Sequence, residues 1–312
     1  MDAVADLLDG PRARGAFVLR SLLAPPWSMR IEDRAPLTLV AVVRGRAHVA
    51  CDGGDAADLA TGDVAVLRGP DGYAVSDVPG TPPQVVVGPG QVCVPVPGAG
   101  APPLTDLGVR TWGNAADGGD VLVTGTYEGA GELSRGLLAA LPPLLVQRAG
   151  TVEDPAVPWL ARETGRDGPG QGAVLDRLLD LLLVATLRAW FARPEADPPG
   201  WYRAAADPVV GPALRALHAA PARPWTVAAL AAEAGVSRAA LARRFTELVG
   251  EPPMAHLTGW RLALAADLLR EPGATVGAVA RRVGYGSPFA LSTAFTRVRG
   301  ISPREHRARG RG

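Results

Sequence analysis

TVAALAAEAGVSRAALARRFTELVG (226–250) and TVGAVARRVGYGSPFALSTAFTRVRG (275–300) are two copies of one pattern. At an offset of 49, Thr226 pairs with Thr275, Val227 with Val276, Leu230 with Val279, Ala231 with Ala280 and Gly235 with Gly284. One inserted residue raises the offset to 50, which pairs Ser237 with Ser287, Leu241 with Leu291, Phe245 with Phe295, Gly250 with Gly300, Pro253 with Pro303 and His256 with His306. Repetition of this kind marks one supersecondary unit used twice. Each copy reads as helix, tight turn, helix. Thr226 and Thr275 can cap the first helix, Gly235 and Gly284 supply the left-handed residue that ends it, and Ser237 and Ser287 cap the second. The second helices should bury Leu241, Phe245 and Leu248 in one copy and Leu291, Phe295 and Val298 in the other. Between the copies, residues 253–270 open on Pro253 and keep Leu257, Leu264 and Leu268 on one stripe, which predicts a connecting helix of roughly 27 Å.

Outward from the repeat, charge divides the chain, whose 312 residues suffice for two domains. Residues 203–312 carry a net +9 and residues 1–202 a net −8. Every one of the 32 basic side chains is Arg, so Arg abundance alone says little, but the asymmetry points to a polyanion. A helix-turn-helix lays its second helix in the DNA major groove, and two units on a rod can reach successive grooves about 34 Å apart. The base-reading candidates are then Arg238, Ala239, Ala242 and Arg243 in the first copy and Phe289, Ser292, Thr293 and Thr296 in the second. Arg243 is the best placed by chemistry, since Arg grips guanine in a bidentate fork. The second set has few long donors and suits thymine methyls and groove shape. Ser237, Arg244, Arg261, Ser287, Arg297 and Arg304 are candidates for phosphate contacts. The competing reading is a plain helical bundle.

From Leu37 to about Tyr127, short β-rich runs (LTLVAVV, RAHVAC, DVAVL, QVVVG, VLVTGTY) alternate with turn residues, which predicts an antiparallel sandwich or barrel. Residues 95–120 read as loop. The stretches 137–147 and 173–191 have helical patterns, the first broken by Pro142-Pro143, and PEADPPG (194–200) reads as a linker. In 173–191, Leu175, Leu178, Leu179, Leu182 and Leu183 form one face, for core packing or a dimer seam, with Trp190 near its end. Asp176, Arg177, Asp180 and Arg188 argue against a membrane span. Two cysteines give neither a disulfide scaffold nor a metal spacing. The first residues lack the basic start and apolar run of a secretory signal, so a cytoplasmic protein is expected.

VSRAALARRFTELVGEPPMAHLTGWRLALAADLL and VARRVGYGSPFALSTAFTRVRGISPREHR resemble the AraC/XylS family of bacterial transcription regulators, over about 208–309. GDVAVLRG (62–69) after RGRAHVACDGG (44–54), with the later LLAALPPLLV and TLRAWF, resembles the cupin-like sensor domain of one branch of that family. The resemblance implies an α+β chain. Residues 1–202 would form a cupin-like β-barrel or sandwich with a helical dimerisation segment. Residues 203–312 would form an all-α DNA-binding domain, with helix-turn-helix units at about 226–250 and 275–299 around a linker helix at about 253–270. It further implies a sequence-specific transcription regulator on double-stranded DNA, a homodimer through the N-terminal domain, a small-molecule effector there and, for an activator, RNA polymerase as a partner.

Enzymatic cupins hold a metal with two or three His and a carboxylate. Residues 1–202 own one, His48, and Thr38 and Tyr73 stand where ligands would be sought, so neither metal, other cofactor nor catalysis is expected. Tyr73, Trp112 and Tyr127 are candidate effector contacts among apolar walls. Cys51 and Cys93 are a candidate redox pair if their Cα atoms come within about 4.4–6.8 Å. Two other classes stay open: a nucleoid-type binder without sequence preference, and a cupin enzyme tethered to DNA.

Overall fold

The computed structural model describes residues 16–98, 102–127, 138, 140–150, 156–193, 198, 200–271 and 273–309. They fall into two compact units, one up to Arg193 and one from Pro198 on. The first is built on strands β1 (Phe17–Leu23), β2 (Ser28–Ile31), β3 (Leu37–Arg44), β4 (Arg46–Cys51), β5 (Ala56–Ala60), β6 (Val64–Arg68), β7 (Tyr73–Ser76), β8 (Val85–Gly88), β9 (Val92–Pro95), β10 (Thr105–Gly108), β11 (Thr111–Gly113), β12 (Asp120–Tyr127) and β13 (Leu144–Gln147). Two sheets run in the orders β10-β11-β1-β12-β3-β6-β13 and β5-β4-β7-β2-β8-β9. Pairing is antiparallel except where β1 meets β11 and β2 meets β8.

Inward residues of both sheets, among them Leu23, Trp27, Val40, Val49, Val75 and Leu122, share one core. Strands β3 and β12 are buried on both faces over most of their length. Helices α1 (Ala156–Thr164) and α2 (Gln171–Phe191) account for it by covering the outer face of the first sheet. Gly125 of β12 admits Leu179 of α2, whose side chain fills the place a Cβ would take. Asp120, buried, fastens the sheets: its carboxylate accepts from Trp27 Nε1 at 2.9 Å and from the Arg46 amide at 3.0 Å.

Several expectations change. Residues 95–120 are not loop throughout, since they contain β10 and β11 at the edge of the first sheet. Leu144–Gln147 is a strand rather than helix: the two prolines before it cannot continue a helix, and LLVQ completes the ladder beside β6, with Leu144 opposite Leu67 and Gln147 opposite Val64. Residues 140–143, the middle of the expected 137–147 helix, are turn and bend rather than helix, and the 194–200 linker lies largely outside the described residues. Leu175, Leu178, Leu179, Leu182 and Leu183 are buried core, not seam, and the exposed apolar groups of α1 and α2 are Trp159, Val174 and Leu181.

The second unit comprises α3 (Gly200–Ala206), α4 (Val210–Ala219), α5 (Val227–Glu233), α6 (Arg238–Val249), α7 (Pro253–Leu268), α8 (Val276–Arg282), α9 (Pro288–Arg299) and α10 (Pro303–Arg309). A boundary after residue 202 would cut α3, which packs on α6 with Gly200 against the Leu248 carbonyl. The unit has two cores. Leu214, Leu217, Trp225, Leu230, Leu241, Phe245 and Leu257 form one, and Leu262, Leu269, Val279, Val283, Leu291 and Phe295 the other. Helix α7 feeds both, which is why its apolar residues run around the cylinder rather than along one stripe. Its 16 residues make a rod of about 24 Å. Val298, expected inward, is 56% exposed. Its counterpart Leu248 is covered because α3 lies on the end of α6.

Candidate nucleic-acid interface

The two helix pairs repeat each other bond for bond. Thr226 and Thr275 accept at their hydroxyls from the amides of Ala229 and Ala278, and Ser237 and Ser287 from those of Ala240 and Ala290, all at 3.1–3.2 Å. Gly235 and Gly284 sit at φ +66° and +83°. In each turn the glycine amide and the one after it donate back into the preceding helix, to Ala232 and Ala231 in one copy and to Arg281 and Ala280 in the other. Four satisfied caps and two such turns fix the angle between the helices of each pair.

What this leaves outside is the predicted set. On α6, Arg238, Ala239 and Arg243 are exposed and Ala242 half-buried, and on α9, Phe289, Thr293, Thr296 and Arg297 are exposed and Ser292 half-buried. Phe289 is 80% exposed at the first turn of α9, a placement that folding alone would not favour. Arg243 leans on Glu247, 3.7 Å away on the same helix face, a solvated pair that gives way easily. Arg304 is exposed at the start of α10. Ser237 and Ser287 use their oxygens as caps, which leaves each O–H free to donate.

Arg244 and Arg261 have other duties. Arg244 donates twice to Asp207, at 2.6 and 3.0 Å, and Asp207 also accepts from the amides of Val209 and Val210 at the start of α4. Burial alone would raise the Asp207 carboxyl, but the Val210 amide and the Arg244 guanidinium outweigh it and hold it below the usual range. Arg261 reaches back from α7 to the carbonyls of Pro221 and Arg223 at 2.7 and 2.9 Å. Both arginines thus brace the first unit.

In the β unit, a cavity of about 50 Å³ lies between the sheets, with Met29, Val40, Tyr73, Val75, Trp112 and Leu122 among its walls. Tyr73 is buried and bonds Thr38, and Trp112 Nε1 donates to Ser21 Oγ at 2.7 Å. Tyr127 is not there. Leu122, Thr124 and Thr126 of β12 face the cavity, so the opposite parity of Tyr127 turns it out under α2, on the side of Asp176 and Asp180. The cysteine pair also fails. Strands β4 and β9 are separated by β7, β2 and β8, a distance of about 19 Å along the sheet, far beyond disulfide reach. Burial raises both thiols, and Asp55 and Asp52 raise Cys51 further, so neither is a ready thiolate. Among the described residues no three His, Cys, Asp or Glu side chains gather as a metal would require, and no helix is long and apolar enough to cross a membrane.

A cupin family model matches residues 2–192, and a helix-turn-helix domain model matches residues 230–309. Over 98% of its length the chain is 34% identical to an AraC-like transcription regulator of Streptomyces lividans, 98% of which is covered. The chain belongs to the AraC-like transcription regulators. This AraC-like regulator is also 37% identical, over 55% of its length and 58% of the relative's, to the HTH-type transcriptional regulator AlkR of Acinetobacter baylyi. The solved DNA-binding domain of AdpA, in complex with a target DNA, shares 35% identity over 34% of this chain and 95% of that one, with a TM-score of 0.32. By its family and its two matched domains the AraC-like regulator is a DNA-binding transcription regulator, with a cupin domain ahead of its helix-turn-helix domain.

The sequence reading missed how its histidines are used. Glu251 accepts from Nδ1–H of His256 at 3.0 Å, so His256 Nε2 accepts from Nε2–H of His218 at 3.1 Å, and His218 Nδ1 is buried without a proton or a partner. His218 stacks on Trp260 with ring centroids 3.9 Å apart, and His256 meets Phe245 edge-on. Burial, with His256 adding to it, pushes His218 down to about 3, and burial lowers His256 against the pull of Glu251. The unfolded chain therefore binds protons that the folded AraC-like regulator refuses, and stability falls as pH drops below about 6.5. At pH 5 the loss from His218 alone is about 2 kcal/mol. Urea denaturation of the helical unit at pH 7 and pH 5 should show it, and His218→Leu should flatten it. An equal midpoint at both pH values would contradict the buried-pair account.

Proposed function

We propose that this regulator reads two successive major grooves of double-stranded DNA sequence-specifically, α6 through Arg238, Ala239, Ala242 and Arg243, and α9 through Phe289, Ser292, Thr293 and Thr296. The observation that carries the reading is the pair of identically capped helix pairs presenting exposed second helices about one 24 Å rod. Ser237, Ser287, Arg297 and Arg304 would hold phosphates, whereas Arg244, half exposed, and Arg261 would brace the first unit beside them. The β unit would sense a small molecule in its cavity and dimerise along Trp159, Val174 and Leu181, exposed by 54%, 45% and 50%. Such a protein works in the cytoplasm without catalysis of its own, and activation would add RNA polymerase to its partners.

Sites selected from a random duplex pool give the cognate duplex for the test. Arg243→Ala should weaken it by about 1–3 kcal/mol and relax preference at one base pair, whereas Arg297→Ala should weaken every duplex alike and lower the salt slope by about one. Uniform loss in both variants would make Arg243 a phosphate contact. Equal competition by random DNA would favour a nucleoid-type binder.

A further inference from the structure

The cavity between the sheets has one charged wall. Among the described residues that line it are Asp33 and the neutral polar groups of Ser21, Gln91, Thr124 and Thr126, but no Arg, Lys or His. Asp33 accepts from the Ala35 amide and from Gln91 Nε2, both at 3.0 Å, and makes no ion pair with a described residue. Its chain neighbour Arg34 is exposed and does not line the cavity. Much of the remaining wall is apolar and aromatic, with Phe17, Val40, Val75, Leu122 and Trp112. Three non-glycine residues hold positive φ among those described: Arg34 at +58° and Gln91 at +60° beside Asp33, and Arg110 at +45° in an adjoining cleft. That cleft, about 390 Å³, shares the walls Leu19, Cys93 and Trp112 with the cavity. Gln91 lines the cavity, Arg34 adjoins it through Asp33 and Arg110 lines the cleft, so left-handed non-glycine backbone lies beside both, as at many ligand sites.

We infer that the ligand of this site is an organic cation: an ammonium head set against Asp33, on an apolar or aromatic body that passes Trp112 and Cys93 into the cleft. The inference rests on the reading of the β unit as a sensor and adds the ligand's class. A half-buried carboxylate that pairs with no described cation, set beside an apolar wall, attracts a cation and repels an anion, because partial burial leaves less water to screen it. Aromatic faces add to the preference for ammonium. At about 50 Å³ the cavity is a third of the roughly 150 Å³ that holds benzene, so it takes the head and leaves the body to the cleft.

Benzylammonium, benzyl alcohol and benzoate share one skeleton and differ in charge, which makes them the probes for calorimetric titration of the full chain. Benzylammonium should bind at least tenfold more tightly than benzyl alcohol, and benzoate more weakly than either. Asp33→Asn, whose Oδ1 can still accept from the Ala35 amide while its Nδ2 donates to Oε1 of a flipped Gln91 amide, should bring benzylammonium down to the affinity of the alcohol and leave the alcohol unchanged. Should the variant not fold, the wild-type ranking decides by itself. Equal affinities for amine and alcohol, or a preference for benzoate, would overturn the assignment of class while keeping a ligand site in the β unit. Loss of all three in folded Asp33→Asn would make Asp33 a structural residue and overturn the assignment. No binding of any probe at millimolar concentration would remove the sensor reading together with it.

Discussion

Replacing Phe295 by Ala should destabilise the second half of the helical unit by about 3–5 kcal/mol, a large share of what an ordinary domain possesses. The ring is fully buried, meets His306 edge-on at 5.4 Å and carries the Arg299 guanidinium 5.3 Å from its centroid. Truncation leaves a cavity between Leu291, Val279 and α7 that two short helices cannot close. Because Phe245 serves the other core, hydrogen exchange should accelerate in α8–α10 well before α4–α6, and DNA affinity should fall towards that of a single unit. Simultaneous loss of protection in both halves would mean that α7 welds them into one cooperative body.

Gly284→Ala should cost about 2–4 kcal/mol, and Gly235→Ala, at the matching position of the other copy, only about 1–2 kcal/mol. Both positions need left-handed backbone, so both substitutions carry that strain. They differ in surroundings. A Cβ on Gly284 would lie 2.7 Å from the Ala222 Cα and 2.9 Å from its carbonyl oxygen, main-chain atoms that cannot step aside, while nothing stands within 4 Å of a Cβ on Gly235. Thermal denaturation of the two single variants reads the difference directly. A Gly235 variant as damaged as the Gly284 variant would place the cost in the turn and not in the contact with Ala222.

The repeat was legible because its signals are local. Thr226, Ser237, Thr275 and Ser287 cap the helices that follow them, and the two turn glycines adopt the φ that their position demands. What the sequence hid depends on partners distant along the chain. Nothing near Leu248 and Val298 tells them apart; α3 covers one and leaves the other in water. Leu144–Gln147 became a strand because β6 offered an open edge, which no helical or alternating pattern in LLVQ announces. Tyr127 was assigned to the wrong face because β12 is buried on both, with Thr124 and Thr126 facing inward, so the polar and apolar residues did not mark the two sides. Among the site residues, those facing outward from α6 and α9 follow from helical periodicity. Asp33 and Gln91, by contrast, meet only when the β2–β3 connection and the approach to β9 are folded together.

Helix α7 gives the regulator a fixed phase. Each residue along it advances 1.5 Å and turns about 100°, and one end belongs to the core of the first reading head while the other belongs to the core of the second. Inserting or deleting a single residue within 253–268 would swing one head a quarter-turn or more away from the face of the duplex that the other addresses. Under the proposed reading, substitutions on the outer faces of α6 and α9 would alter the letters the protein recognises, but the count of residues in α7 would dictate how far apart those letters stand. Vocabulary can drift one base pair at a time; spacing can change only in jumps of whole helical turns. Promoters served by descendants of this chain should therefore vary in the words they use far more readily than in the gap between them.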